Sequence, residues 1–262
     1  MDNDFYRSKT ILLVLCGSPS RRGVLEAVAA TGIRIVCVHP TIGWASDLVH
    51  KWIVAPCDDR PKSVDIVQTY IAESSERFDG ILSYDEFGLS LAASLGVALG
   101  LPYMHPNVVD CVRDKFCFRQ LCQEHNVPSP KCLILDRSLI CEPAVCPFGA
   151  HPAPDPLSAT YDFFQTQDAV EQSISKTLTD NNISFPIVIK PTHGAGKMCT
   201  RRADSYREAA EDVCLMHSRI SEYIHRWRMT IDEARGMVIE EFLEGGPEVD
   251  VDCLVQKVCR VS

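Results

Sequence analysis

The sequence predicts an α/β fold: a small doubly wound parallel-sheet domain over residues 1–106, followed by an α+β domain over 107–262. Three observations predict it. Short β-branched runs alternate with helical periodicity through the first hundred residues, the βαβ signature of a parallel sheet. From about residue 107, helical segments and isolated apolar runs give way to a closing stretch that alternates acidic and apolar residues. Between them, Ile187, Val188 and Ile189 lead straight to Lys190, and a polar loop holding Gly194 and Gly196 follows.

In chain order, residues 10–16 form a buried strand ended by Gly17-Ser18-Pro19-Ser20. Ser18 or Ser20 is placed to cap a helix over 21–30, with Val24, Leu25, Val28 and Ala29 facing inward. Gly32 stops that helix and 33–38 form the second strand. A short third strand covers 52–55, and Pro61 opens a helix reaching about residue 77 with Val64, Val67 and Ile71 on one face. Residues 79–84 form the next strand and 85–99 the next helix, closed by Gly100 and Pro102. One continuous helix is expected over 109–125, then a strand over 132–135, a proline-rich insertion over 138–160 and a helix over 165–179. After the glycine loop come a long charged helix over 205–225, a strand over 237–241 ending in paired glutamates, and a strand from 248 with one acidic face.

The bulk numbers exclude several classes. At 262 residues, 46% hydrophobic and 23% charged, the chain is an ordinary globular protein with a full core. A net charge of -9 argues against a general nucleic-acid partner, which needs a basic face. The longest early apolar run, 11–16, is too short to span a bilayer, and Asp2 and Asp4 precede it, so no targeting segment is evident. Thirteen cysteines without a leader imply free thiols and a cytoplasmic address, with Cys16, Cys37 and Cys253 acting as small hydrophobes. The spacing of Gly17 and Gly23 is not that of a dinucleotide site, and His39 stands where an acidic residue would end the second strand. Cys132, Cys141, Cys146 and His151 are too widely spaced for a common zinc set, so no metal site is assigned.

Three segments carry chemistry. Lys190 ends a buried strand before a loop whose glycines let backbone N–H groups approach an anion, a way to hold phosphate. Asp85 and Glu86 lie at the carboxyl end of a parallel strand, where open α/β sheets bind ligands. Either they grip a substrate ammonium, or they charge the first turn of the next helix. Glu240, Glu241 and Glu248 belong to the acidic strand-turn-strand near the end.

Together these motifs resemble the ATP-grasp superfamily of ATP-dependent carboxylate–amine ligases. The family pattern RDK-x-x-F-R matches 113–119, with Val127-Pro128 beyond it. The pattern F-P-[IV]-[IV]-[IV]-K-P with a following G-x-G matches 185–196. The pattern E-E-[FY]-[LI]-x-G-x-E matches 240–248 with one additional glycine. Phe78-Asp79-Gly80-Ile81-Leu82-Ser83 and Ala98-Leu99-Gly100-Leu101-Pro102 look most like the amino-acid ligases and carnosine-synthase-like enzymes.

The resemblance implies a pre-ATP-grasp domain followed by an incomplete ATP-grasp domain, with ATP and Mg²⁺ as cofactors. It gives Lys115 and Lys190 to the phosphates, and the loop His193, Gly194, Ala195, Gly196, Lys197, Met198 to a cover over the β- and γ-phosphates. Glu240, with the backbone of Glu241, Phe242 and Leu243, would read adenine, and Glu248 the ribose. The reaction implied is phosphorylation of a carboxylate, then attack by an amine, on amino-acid-type substrates. In the family the Mg²⁺ ligands lie downstream of the ribose glutamate, so here they are expected beyond Ser262 and the chain reads as part of a longer ligase. The alternative is a nucleotide-binding module without turnover. Implied partners are ATP and a small carboxylate or amine, with a homodimer as the assembly to test.

Overall fold

The computed structural model describes residues 3–135, 167–195, 197, 199–219 and 236–246. A short helix, α1 (Asn3–Arg7), precedes β1 (Thr10–Val14), and a 3-10 turn at Pro19–Arg21 leads into α2 (Arg22–Ala29). Then come β2 (Arg34–His39), β3 (Lys51–Val54), α3 (Arg60–Ser74), β4 (Gly80–Leu82), a second 3-10 turn at Glu86–Gly88, and α4 (Leu89–Leu99). The four strands form one parallel sheet in the order β3-β2-β1-β4.

Both faces of this sheet are covered, which is why its central strands are continuous apolar runs rather than alternating ones. Leu13, Ile35 and Cys37 pack with Leu25 of α2 on one face. Leu12, Val14, Val36 and Ile81 pack with Val67 of α3 and Leu91 and Leu95 of α4 on the other. Val24, expected to face inward, is 50% exposed. The helix starts only at Arg22, after the 3-10 turn, so Leu25 takes the inward position. Nor does Ser18 cap it: its hydroxyl pairs with that of Ser20 at 2.6 Å.

The helix expected over 109–125 is two helices, α5 (Pro106–Arg113) and α6 (Lys115–Glu124). Asp114 between them is extended (φ -81°, ψ 110°), and its Oδ1 accepts the N–H groups of Phe116 at 2.8 Å and Cys117 at 3.2 Å. An aspartate offered two unpaired amides caps a new helix in preference to continuing the old one.

Beyond α6 lie β5 (Cys132–Ile134), α7 (Gln167–Asp180), β6 (Ile187–Pro191), β7 (Arg201–Ala203), α8 (Tyr206–Ser218) and β8 (Met237–Glu241). The strands form an antiparallel sheet in the order β5-β8-β6-β7. Ile187, Ile189, Met237 and Ile239 share a core with Ile174 and Leu178 of α7 and Val213 and Met216 of α8. Alternation therefore sends Val188, Lys190 and Glu240 to the other face. Cys132 and Val188 stand opposite Glu240 on its two neighbouring strands. The insertion 138–160, Cys141, Cys146, His151 and the strand from 248 lie outside the described residues.

Candidate functional site

Lys190 and Glu240 are diagonal neighbours on that second sheet face, close enough to pair. Lys190 Nζ lies 2.6 Å from Glu240 Oε2, with side chains 15% and 5% exposed. α6 supplies two more cations from one face, since Lys115 and Arg119 are four residues apart. Arg119 Nε donates to Glu240 Oε1 at 2.9 Å and Nη2 to Oε2 at 3.4 Å. The Lys115 ammonium donates to the Thr192 carbonyl at 3.4 Å, and its backbone N–H donates there at 2.9 Å.

The electrostatics follow from this crowding. Burial pushes the Glu240 carboxyl up, but the hydrogen bonds from Arg119 and Lys190 outweigh it and hold the group below the usual carboxylate range. Burial, then the charge of Lys190, lowers Lys115. Cys132, buried beside the Glu240 carboxylate, is pushed up to about 12 and stays a thiol. Three cations thus surround one carboxylate, and the surplus is positive where the strand opens into the loop.

That loop begins at fully buried Thr192, whose N–H donates to the Gly236 carbonyl at 2.8 Å and whose hydroxyl lies 3.0 Å from His193 Nδ1. Gly194 has φ 145°, a conformation a side chain would strain, and Lys197 has φ 60°. Gly196, Met198 and Glu248 lie outside the described residues.

The turn after β8 has its own pattern. The Glu241 N–H donates to the Lys131 carbonyl and the Phe242 N–H to the Pro186 carbonyl, at 3.1 and 3.3 Å. The Glu241 carboxylate accepts from the Lys131 N–H at 2.9 Å. Among the described residues the Leu243 N–H has no hydrogen-bond partner, and its side chain is 69% exposed. Of the three backbone donors in this segment, Leu243 is the one left for a ligand. Arg202 of β7 covers the Phe242 ring at 4.5 Å.

A separate cleft of about 560 Å³ lies at the carboxyl ends of the parallel strands, lined among others by Arg21, His39, Tyr84, Asp85 and Glu86. Ala195 of the glycine loop also borders it. Gly17 (φ +66°) forms one wall, where a Cβ would come within 3.2 Å of the Tyr84 ring. Burial pushes Tyr84 up to about 12, and its hydroxyl donates to the Cys16 carbonyl at 2.8 Å. Asp85 Oδ1 accepts the Phe87 N–H at 3.0 Å, and Glu86 Oε1 accepts from Arg113 Nε at 3.0 Å. Asp85 therefore caps the turn that leads into α4 and Glu86 ties that turn to α5, while both line the cleft. Beneath it Cys16 is fully buried, and its neighbours Cys37 and His39 pull its thiol below the ordinary range against the opposing effect of burial.

The structure thus brings Lys115, Lys190 and Glu240 together, runs on from Lys190 through Thr192 into His193 to Ala195, and keeps Asp85 and Glu86 in a separate cleft that Ala195 borders. Among the described residues no group of three His, Cys, Asp or Glu side chains is placed to hold a metal ion, and no helix is long and apolar enough to cross a membrane. The residue that sequence reasoning left without a role is Arg119, which closes the matched pattern at 113–119 and lies one helical turn beyond Lys115.

No family model matches the sequence, and no curated protein matches it. Solved structures do match. An L-amino acid ligase from Bacillus licheniformis is 19% identical with a TM-score of 0.57, over 91% of this chain and 45% of that one. A carboxyaminoimidazole ribonucleotide synthase from Aspergillus clavatus, complexed with ATP, is 10% identical with a TM-score of 0.55, over 91% and 48%. An N5-carboxyaminoimidazole synthetase from Staphylococcus aureus, complexed with ADP, is 11% identical with a TM-score of 0.54, over 90% and 48%. The chain spans a little under half the length of each of these structures.

Proposed function

From its fold, which is that of the ATP-grasp ligases, we propose that this chain binds ATP as part of a carboxylate–amine ligase. The observation that carries the reading is a buried excess of positive charge. Lys115 and Lys190 stand together at the mouth of a glycine loop, and the nearby carboxylate of Glu240 already has Arg119 for a counter-ion. Such a surplus is costly unless an anion completes it, and a triphosphate does so. The base end fits adenine. Glu240 is an acceptor and the unpaired Leu243 N–H a donor, the complement of adenine's amino group and ring nitrogen. Exposed Leu243 and half-buried Phe242 supply an apolar surface. Gly196, Met198 and Glu248 keep their phosphate and ribose roles from the motif resemblance.

In the reaction, a substrate carboxylate oxygen attacks the γ-phosphorus and ADP leaves. The resulting acyl phosphate is attacked by an amine, which loses a proton as inorganic phosphate departs. The protein's part is alignment and charge neutralisation by Lys115 and Lys190 rather than a side-chain nucleophile. The described residues do not assemble a Mg²⁺ ligand set, so no step is assigned to that ion. An amino-acid-type substrate is supported by the neighbouring cleft, where Arg21 and Asp85 offer one cation and one anion to a zwitterion. All described cysteines are free, which supports a reducing, cytoplasmic setting.

Calorimetric titration with ATP tests the reading, with saturable binding expected; no heat of binding at millimolar ATP would overturn it. The second reading is a nucleotide-binding module without turnover. ADP release dependent on an amino-acid mixture would exclude it.

A further inference from the structure

Arg119 holds both oxygens of Glu240 while Lys190 holds one, and neither cation has another carboxylate partner among the described residues. A carboxylate has about four acceptor positions. Arg119 and Lys190 occupy three, and the weak thiol of Cys132 stands beside the group. The guanidinium fork sets the plane of the carboxylate, because two parallel N–H donors fix two oxygens at once. Lys190 meets the same carboxylate as a point charge on a flexible stem, and nothing comparable fixes its direction.

Counting charges separates the roles. With Arg119 present, Glu240 is neutralised without Lys190, and the two lysines keep about two positive charges for a ligand. Without Arg119, Lys190 becomes the sole counter-ion of a carboxylate whose side chain is 5% exposed. A buried carboxylate left with one cation draws that cation in. The ammonium is then committed to Glu240 with both oxygens available to it, and the surplus facing the glycine loop falls to about one charge. Other nearby acids do not alter the count: Glu86 is paired with Arg113, and Asp114 caps α6.

We infer that Arg119 is a positioning residue: by serving as the counter-ion of Glu240 it releases Lys190 to bind the phosphates of a nucleotide. This rests on the ATP-binding reading above. Arg119 acts through Lys190 and need not touch the ligand.

The test compares the gain in affinity from adenosine to ATP in the wild-type chain and in Arg119→Met, by calorimetry at one ionic strength. In the variant that gain falls on the order of tenfold, the effect of one partly screened unit charge, over and above any loss that adenosine and ATP share because Glu240 is no longer oriented. Arg119→Lys, which restores charge but not the fork, recovers part of it. A loss equal for adenosine and ATP would mean that Arg119 is merely structural and would overturn the proposal. So would an unchanged gain in Arg119→Met. A wild-type chain with no gain from adenosine to ATP would instead overturn the ATP-binding reading. The positioning role has a readout that needs no nucleotide. Acylation of the Lys190 amine by acetic anhydride, followed by peptide mass spectrometry, is slower in Arg119→Met than in wild type; an equal rate would overturn the role by itself. Circular dichroism of each variant excludes unfolding as the cause.

Discussion

Replacing Lys190 by methionine separates the fold from the ligand site more sharply than any other single change. The apolar stem is kept, so packing against the sheet is largely preserved and the ammonium alone is lost. Removing one member of a buried pair costs about 3–5 kcal/mol when the other is stranded. Glu240 is not stranded, because Arg119 still donates to it at 2.9 and 3.4 Å. The expected loss of stability is therefore about 1–3 kcal/mol, the range for a lost hydrogen bond to a charged group. In a chain of this size that lowers the midpoint by about 2–12 °C, readable by scanning fluorimetry. The ligand loses more. A unit charge about 4 Å from a phosphate oxygen contributes about 4 kcal/mol at an effective dielectric of 20. Lys190 is 15% exposed, so partial screening brings this to about 2–3 kcal/mol, thirtyfold or more in the ATP dissociation constant. Calorimetry on the folded variant measures it. An ATP affinity within twofold of wild type would refute the assignment of Lys190 to the phosphates.

Two further outcomes follow from the same cluster. Lys115→Met removes a cation that burial and Lys190 both disfavour, so the ligand-free chain melts about 2 °C higher at pH 7 while its stabilisation by ATP shrinks; a lower midpoint with intact ATP stabilisation would contradict this. Because the folded value of Lys115 lies below 10.5, the unfolded chain binds the extra proton between the two values, and wild-type stability gains from this group as pH rises through that window; a wild-type profile that tracks Lys115→Met there would refute the burial. Glu240 has the opposite sense. Its folded value lies below 4.5, so its contribution is fully present above that pH and fades as pH falls through the lowered value. Urea midpoints of wild type therefore decline more from pH 6 to pH 3 than those of Glu240→Gln, and equal declines would remove Glu240 from the paired state.

Much of this architecture was legible because it is local. The run 237–241 coincides with β8 residue for residue, since valine and isoleucine there are bounded by turn residues. Lys190 falls on the side of β6 away from the core because strand alternation puts it out of phase with Ile187 and Ile189. What periodicity could not show was competition between local devices. The apolar spacing over 109–125 suits one helix, yet Asp114 caps a second one within it. Long-range partners were also hidden: Arg119 meets Glu240 across 121 positions of sequence. The carboxylates of Asp85 and Glu86 were located correctly at the strand ends, but no pattern in the sequence announced that Phe87 and Arg113 would engage them.

Through Ala195 the loop that follows Lys190 also borders the cleft of the parallel sheet, so one segment is the partition between the two. A partition that belongs to two chambers makes their occupancies reciprocal. If filling the cleft moves the partition toward or away from the lysines, nucleotide affinity changes by some factor, and the nucleotide must then change affinity in the cleft by that same factor. The order in which two ligands arrive then alters the route but not the total, and the tightness of one becomes a gauge of the presence of the other.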